Sequence, residues 1–147
     1  MDSVFSRLKL LIVDDSEDDV FMVRSVLSAL DSQHTLEAAS SALDALERLR
    51  GTGKYAGKRP QLPDLLLLDV NMPGMDGFAM LKELKSDAEL RKIPVIMLST
   101  SNSPQDINRC YDCGAASYLT KPDSAEGFRN ILSGFLSYWR TVSAFPE

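Results

Sequence analysis

Four consecutive leucines, Leu65 to Leu68, run straight into a carboxylate, Asp69, and then into the turn-forming stretch Asn71-Met72-Pro73-Gly74. A half-exposed strand or an amphipathic helix breaks such a run with polar residues. An unbroken one fits a strand covered on both faces, as in a parallel sheet flanked by helices. A charge placed directly after the run stands at the strand's carboxyl end and is expected to have left the core. In open α/β sheets that edge is where ligands bind, so Asp69 is the first candidate for chemistry.

The same pattern recurs along the chain. Leu8 to Val13 ends in Asp14-Asp15, Ile93 to Leu98 in Ser99-Thr100-Ser101, and Ala115 to Leu119 in Thr120-Lys121-Pro122. His34 to Ala39 reads as a thinner edge strand. Helical spacings fill the gaps. Ser16 suits an N-cap with Asp19 at the capping-box position, ahead of Val20, Val23, Val26, Leu27 and Leu30. Ala42, Leu43, Ala45, Leu46 and Leu49 mark a second helix that Gly51 can stop, and Phe78, Leu81 and Leu84 a third after Asp76-Gly77. Ser103-Pro104 opens a fourth helix carrying Ile107, Cys110 and Tyr111, with Gly114 as its stop. Ser124 caps a fifth, whose apolar face runs through Phe128, Ile131, Leu132, Phe135, Leu136, Trp139 and Val142. Five strands alternating with five helices predict an α/β, flavodoxin-like (βα)5 fold. Its parallel five-stranded sheet has the order 2-1-3-4-5, with helices on both faces and an extended last helix.

A chain of 147 residues holds one domain with a substantial core, expected to span 1–147. Its 44% hydrophobic and 25% charged residues are those of a soluble globular protein. No apolar run approaches the roughly 20 residues of a membrane span, and the N-terminus lacks a signal-peptide pattern, so the expected location is the cytoplasm. A formal charge of −5 argues against general nucleic-acid binding. Cys110 and Cys113 form a C-x-x-C without a second pair, and the one histidine, His34, is distant in sequence. They read as small apolar residues on one helix face rather than a redox or zinc site. Thr52 to Leu62 is a loop by its Gly, Pro and charge content, and forms a basic cluster with Arg48 and Arg50. A solvated loop is expected there over an anion site.

Because the strands are parallel, their polar ends fall on one edge: Asp14 and Asp15, Asp69, Ser99 and Lys121. Strands one, three and four are neighbours in the expected order. Clustered carboxylates raise one another's pKa unless a cation sits among them, and a hard divalent ion such as Mg²⁺ suits oxygen ligands and phosphate chemistry. Lys121 adds a mobile positive charge, Ser99 a hydrogen-bond donor. The set suits a phosphoryl group, with a carboxylate as nucleophile.

Asp14-Asp15, Asp69 with Asn71-Met72-Pro73-Gly74-Met75-Asp76-Gly77, Ser99, Tyr118 and Lys121-Pro122 together resemble the receiver domain of two-component response regulators over nearly the whole chain. The resemblance implies that Asp69 takes a phosphoryl group from a phosphohistidine on a partner sensor histidine kinase. It also implies that Asp14 or Asp15, Asp69 and the backbone carbonyl of Asn71 hold Mg²⁺ (or Mn²⁺), that Lys121 contacts a phosphoryl oxygen, and that the Lys121-Pro122 bond is cis. Ser99 and Tyr118 are then the switch pair, altering the face made by helix four, strand five and helix five. Two positions depart from the family's pattern. Thr100 stands where the residue is usually very small, which is expected to narrow access to the phosphoryl group and slow its hydrolysis. Asp123 stands where an apolar residue is common.

No output domain is expected after the receiver, so output is by protein contact or phosphate relay. The aromatic end of the last helix, Tyr138 and Trp139 with Phe145 in the tail, suits a homodimer or partner interface. That segment and the basic loop are similar to stand-alone regulators of bacterial phytochrome histidine kinases, which implies a bacteriophytochrome partner. Two other readings use the same residues. An aspartate-nucleophile phosphatase lacks support because Asn71 replaces the second acid of its D-x-D motif. A phosphate-independent interaction module has no need of the full acid, hydroxyl and lysine set. The protein is therefore expected to be a phosphoacceptor rather than an enzyme.

Overall fold

A computed structural model describes residues 8–30 and 34–141. Within them, β1 (Lys9–Val13), β2 (Thr35–Ala39), β3 (Leu65–Asp69), β4 (Val95–Ser99) and β5 (Ser117–Thr120) alternate with α1 (Glu17–Leu30), α2 (Ala42–Arg50), α3 (Gly77–Ser86), α4 (Pro104–Asp112) and α5 (Ala125–Thr141). The strands form one parallel sheet in the order β2-β1-β3-β4-β5, as the sequence pattern predicts.

Successive side chains of the central strands point to opposite faces, and both faces are covered. Leu66 and Leu68 pack with α2, α3 and α4 through Leu46, Leu49, Phe78, Leu81 and Cys110. Leu65 and Leu67 pack with α1 and α5 through Val23, Leu27, Phe128, Leu132 and Leu136. This is why the leucine run shows no polar alternation. All four leucines are fully buried, each stabilising the fold by roughly 2 kcal/mol relative to an exposed position.

The caps predicted at Ser103 and Ser124 are present, and Ser41 and Asp76 cap two further helices. Asp44 N–H donates to Ser41 Oγ, Ala79 N–H to Asp76 Oδ1, Asp106 N–H to Ser103 Oγ and Gly127 N–H to Ser124 Oγ. Gly51, at φ 69°, ends α2 in the left-handed conformation. Strand limits shift by a few residues. Pro94 has no N–H to give, so β4 begins at Val95, and it extends to include Ser99. Ala115 and Ala116 lie before β5, although Ala116 N–H already bonds the Val95 carbonyl. Tyr111 and Leu43 are exposed rather than core-facing, because each falls outside the arc of its helix that meets the sheet.

The basic loop is mostly neutralised from within. Arg48 pairs with Glu37 at 3.1 Å, Lys54 with Asp44 at 2.6 Å, and Arg50 with Glu83 and Asp87 at 3.2 and 3.4 Å. The Tyr55 ring lies beside Arg48 and Lys54, and its hydroxyl donates to Asp44. Cys110 is buried in the core and Cys113 packs against it; both are free thiols. On α5, Trp139 and Phe135 pack on the α1-side core while Tyr138 stands half exposed. Phe145 lies outside the described residues.

Candidate functional site

The parallel topology delivers the polar strand ends to one edge, but not in the environments the sequence suggests. Asp69 has not left the core: it is the last residue of β3, pairs in register with Leu98, and is 6% exposed. Ser99 ends β4 at 1% exposure, opposite Thr120. The acidic pair divides, with Asp14 at 2% exposure and Asp15 open to solvent.

A close approach of backbones shapes the floor. Gly77, the first residue of α3, donates its N–H to the Val70 carbonyl at 2.9 Å. A Cβ at Gly77 would overlap the Asp69 carbonyl oxygen and stand 2.8 Å from Val70 Cα, so only glycine lets α3 start this near the end of β3. Between them the turn passes through Gly74 at φ 76°, and Asn71, Pro73 and Gly74 are exposed.

Lys121 ties the cluster together. Its backbone N–H donates to the Ser99 carbonyl at 2.7 Å. Its Nζ reaches Asp19 Oδ2 at 2.6 Å, Asp69 Oδ1 at 3.1 Å and Asp14 Oδ2 at 3.2 Å. No cis peptide bond occurs among the described residues, so the cis Lys121-Pro122 bond implied by the resemblance is not present. Trans is the favoured state before proline unless packing selects otherwise, and here the trans chain already brings Nζ to all three carboxylates.

One ammonium does not offset so many acids. Burial pushes the Asp14 carboxyl up to about 6, against lowering by the Ser16 N–H and Lys121, with Asp69 and Asp19 raising it further. Burial also raises Asp69, opposed by Lys121 and by the backbone of Asn71. Desolvation, more than mutual repulsion of the carboxylates, is the larger cause. Burial alone lowers the Lys121 ammonium, but Asp19, Asp14 and Asp69 outweigh it and hold it above its ordinary value.

Asp14, Asp15 and Asp69 each offer a carboxylate oxygen, and the three lie within 4.8 Å of one another. These are hard oxygen donors with surplus negative charge, partly buried, and they fit a divalent cation of the Mg²⁺ or Mn²⁺ type. A groove of about 660 Å³ opens beside Asp14 and Asp15, walled by Glu17, Phe21 and Arg24 of α1 and by Ser40 and Ser41. Thr100 and Asp123 are exposed near this edge.

One residue joins Ser99 and Tyr118. Ser101 donates its N–H to Ser99 Oγ at 3.1 Å and accepts the Tyr118 hydroxyl on its carbonyl at 2.7 Å. The Ser101 hydroxyl donates to Asp106 Oδ2 and accepts the Ser103 N–H, which binds the loop to the start of α4.

Sequence reasoning missed Asp19 and Ser101. Asp19 looked like half of a capping box. Its N–H does meet Ser16 Oγ at 3.3 Å, but its carboxylate goes to Lys121, while the Ser16 N–H goes to Asp14. The signal was a run of five acids in the stretch Asp14-Asp15-Ser16-Glu17-Asp18-Asp19, of which Asp19 is the last. Which of the helical acids turns inward depends on the phase of α1, which spacing alone does not give.

With this geometry in place, the relatives are informative. Residues 10–133 match the model of the response regulator receiver domain. The response regulator Rcp1 of Synechocystis is 32% identical over 93% of this chain and 92% of its own length. The crystal structure of the phosphorylated cyanobacterial phytochrome response regulator RcpA superposes with a TM-score of 0.89 at 33% identity, covering 96% of this chain and 99% of that one. The Mn²⁺-bound form of Rcp1 gives 0.87 at 31% identity, covering 95% and 99%. The parallel 2-1-3-4-5 sheet, the acids at its carboxyl edge and these matches have one conclusion: the chain belongs to the response regulator receiver domain family.

Proposed function

We propose that Asp69 is the phosphoacceptor, taking a phosphoryl group from a phosphohistidine on a partner sensor histidine kinase. The observation that carries this is the placement of Lys121 Nζ against Asp69 and Asp14 beside the converging oxygens of Asp14, Asp15 and Asp69. An Asp69 carboxylate oxygen forms the new bond to phosphorus as the phosphorus–nitrogen bond breaks. The bonding pair goes to the ring nitrogen, and because the other ring nitrogen keeps its proton, the imidazole leaves neutral. Lys121 donates to a phosphoryl oxygen, and the Ser99 hydroxyl, whose oxygen already accepts from Ser101, has its proton free to donate to another. Asp14, Asp15, Asp69 and the Asn71 carbonyl hold Mg²⁺ or Mn²⁺. When bound, that cation supplies charge neutralisation for the transferring phosphoryl oxygens.

The Ser99–Ser101–Tyr118 chain supports the switch. As Ser99 turns to the phosphoryl group it releases the Ser101 N–H, and the carbonyl of the same residue holds Tyr118. The surface of α4, β5 and α5 then changes. Half-exposed Tyr111, Ile131 and Tyr138 on α4 and α5 support a homodimer through that surface. Phe21, 70% exposed on the groove beside the acids, supports a protein donor at the site. The similar RcpA is a cyanobacterial phytochrome response regulator, which supports a phytochrome kinase as that donor. No helix among the described residues is long and apolar enough to cross a membrane, in keeping with action in the cytoplasm.

The test is labelling by acetyl phosphate or a kinase in the presence of Mg²⁺. Wild type takes up one phosphoryl group and Asp69→Asn takes up none. Label persisting in Asp69→Asn, or steady turnover of a phosphate ester, refutes the reading.

A further inference from the structure

Lys121 has three N–H donors and three carboxylate partners, and the shortest contact, 2.6 Å, is to Asp19. Asp19 is outside the group whose oxygens converge for a cation, whereas Asp14 and Asp69 belong to it. Asp14 has little to spare, since Oδ1 accepts the Ser16 N–H and Oδ2 the ammonium. With a divalent cation bound, Asp14 and Asp69 would share their negative charge with it, and Lys121 would be repelled. Asp19 is then the carboxylate left to keep the ammonium in place.

We propose that Asp19 is a positioning residue, anchoring Lys121 Nζ beside Asp69 while the neighbouring acids are engaged by the cation. The proposal rests on the phosphoacceptor reading above. Two features support it. The backbone of Lys121 is fixed by its bond to Ser99, but the four-carbon stem is flexible, so its partners determine where the ammonium sits. Helix α1 also has no need of Asp19 for its dipole, because Glu17 and Asp18 already supply exposed negative charge in the first turn. The opposite role, a latch that draws Lys121 away from the phosphoryl group, predicts effects of opposite sign.

The experiment compares wild type with Asp19→Asn and with Asp18→Asn, which removes the same charge from the same turn. The first readout is the Lys121 ammonium signal in nitrogen-edited NMR. It is expected to survive Mg²⁺ in wild type and Asp18→Asn, and to vanish by solvent exchange in Asp19→Asn. The second is the rate of labelling by acetyl phosphate at saturating Mg²⁺. Asp19→Asn is expected to be slower by about tenfold, the effect of one charge-assisted hydrogen bond. Asp18→Asn should stay within about twofold, as befits an exposed charge. In a Lys121→Met background Asp19→Asn should cause no further slowing. The proposal is overturned by an unchanged or faster rate in Asp19→Asn, by equal slowing in Asp18→Asn, by slowing that persists in Lys121→Met, or by an ammonium signal that survives Mg²⁺ without Asp19. Label in Asp69→Asn refutes the underlying phosphoacceptor reading instead.

Discussion

Asp14 should stabilise the protein when its charge is removed. An ordinary aspartate titrates at 3.8 and Asp14 at about 6, chiefly because it is buried. Each tenfold in proton affinity corresponds to ~1.4 kcal/mol, so ionised Asp14 disfavours the folded state by about 3 kcal/mol at neutral pH. In Asp14→Asn the side-chain oxygen can still accept the Ser16 N–H, and Lys121 keeps Asp19 and Asp69. The attraction of Lys121 is already contained in the Asp14 shift, but an amide NH2 turned toward the ammonium in Asp14→Asn leaves a donor without a partner and offsets roughly 1 kcal/mol of the gain. A net gain of about 2 kcal/mol raises the melting temperature by about 4–8 °C for a chain of this size. The sign with pH is fixed by the direction of the shift. A raised acid pKa costs stability above pH 6, and the cost fades as pH falls through 6 toward 3.8. The difference between variant and wild type is therefore largest near pH 7.5 and small near pH 4.5. Mg²⁺ should reverse the order by stabilising wild type more than the variant. Thermal unfolding followed by circular dichroism, with chelator and then with Mg²⁺, measures all of this. A variant no more stable than wild type at pH 7.5 without metal, or a gain that does not shrink with pH, refutes the reasoning.

Gly77→Ala places a Cβ against the Asp69 carbonyl oxygen and Val70 Cα, backbone atoms that cannot rotate away. Overpacking of this kind costs roughly 1–3 kcal/mol, so calorimetry should show a lower melting temperature and phosphate labelling should slow; an unchanged labelling rate is the contrary result. For the homodimer, replacing Ile131 and Tyr138 with Glu should shift light scattering to the monomer mass. A wild-type monomer at every concentration removes the dimer.

Much of the fold can be read from the sequence because its signals are local. The unbroken Leu65–Leu68 run, the caps at Ser103 and Ser124, and the alternation of strand and helix each depend on neighbouring residues. Strand ends are less legible: Ser99 looks like loop until β5 is seen to pair with it. At the site, Asp69, Asp14, Ser99 and Lys121 are recognisable because parallel strands force their ends to one edge. Burial is not recognisable there. A carboxylate after an apolar run reads as exposed, and only the covering of Gly77 and the packing of α3 show that Asp69 stays inside.

The sequence by itself determined the layer architecture, the strand order and which residue types meet at the carboxyl edge, since periodicity and connection rules carry that information. Tertiary structure alone decided how charge is arranged there. It buried Asp14 while leaving Asp15 in water, turned Asp19 rather than Glu17 or Asp18 onto Lys121, kept the bond before Pro122 trans, and joined Ser99 to Tyr118 through Ser101. Those outcomes depend on helix phase and on distances between elements far apart in the chain, and desolvation exists only once the elements have packed.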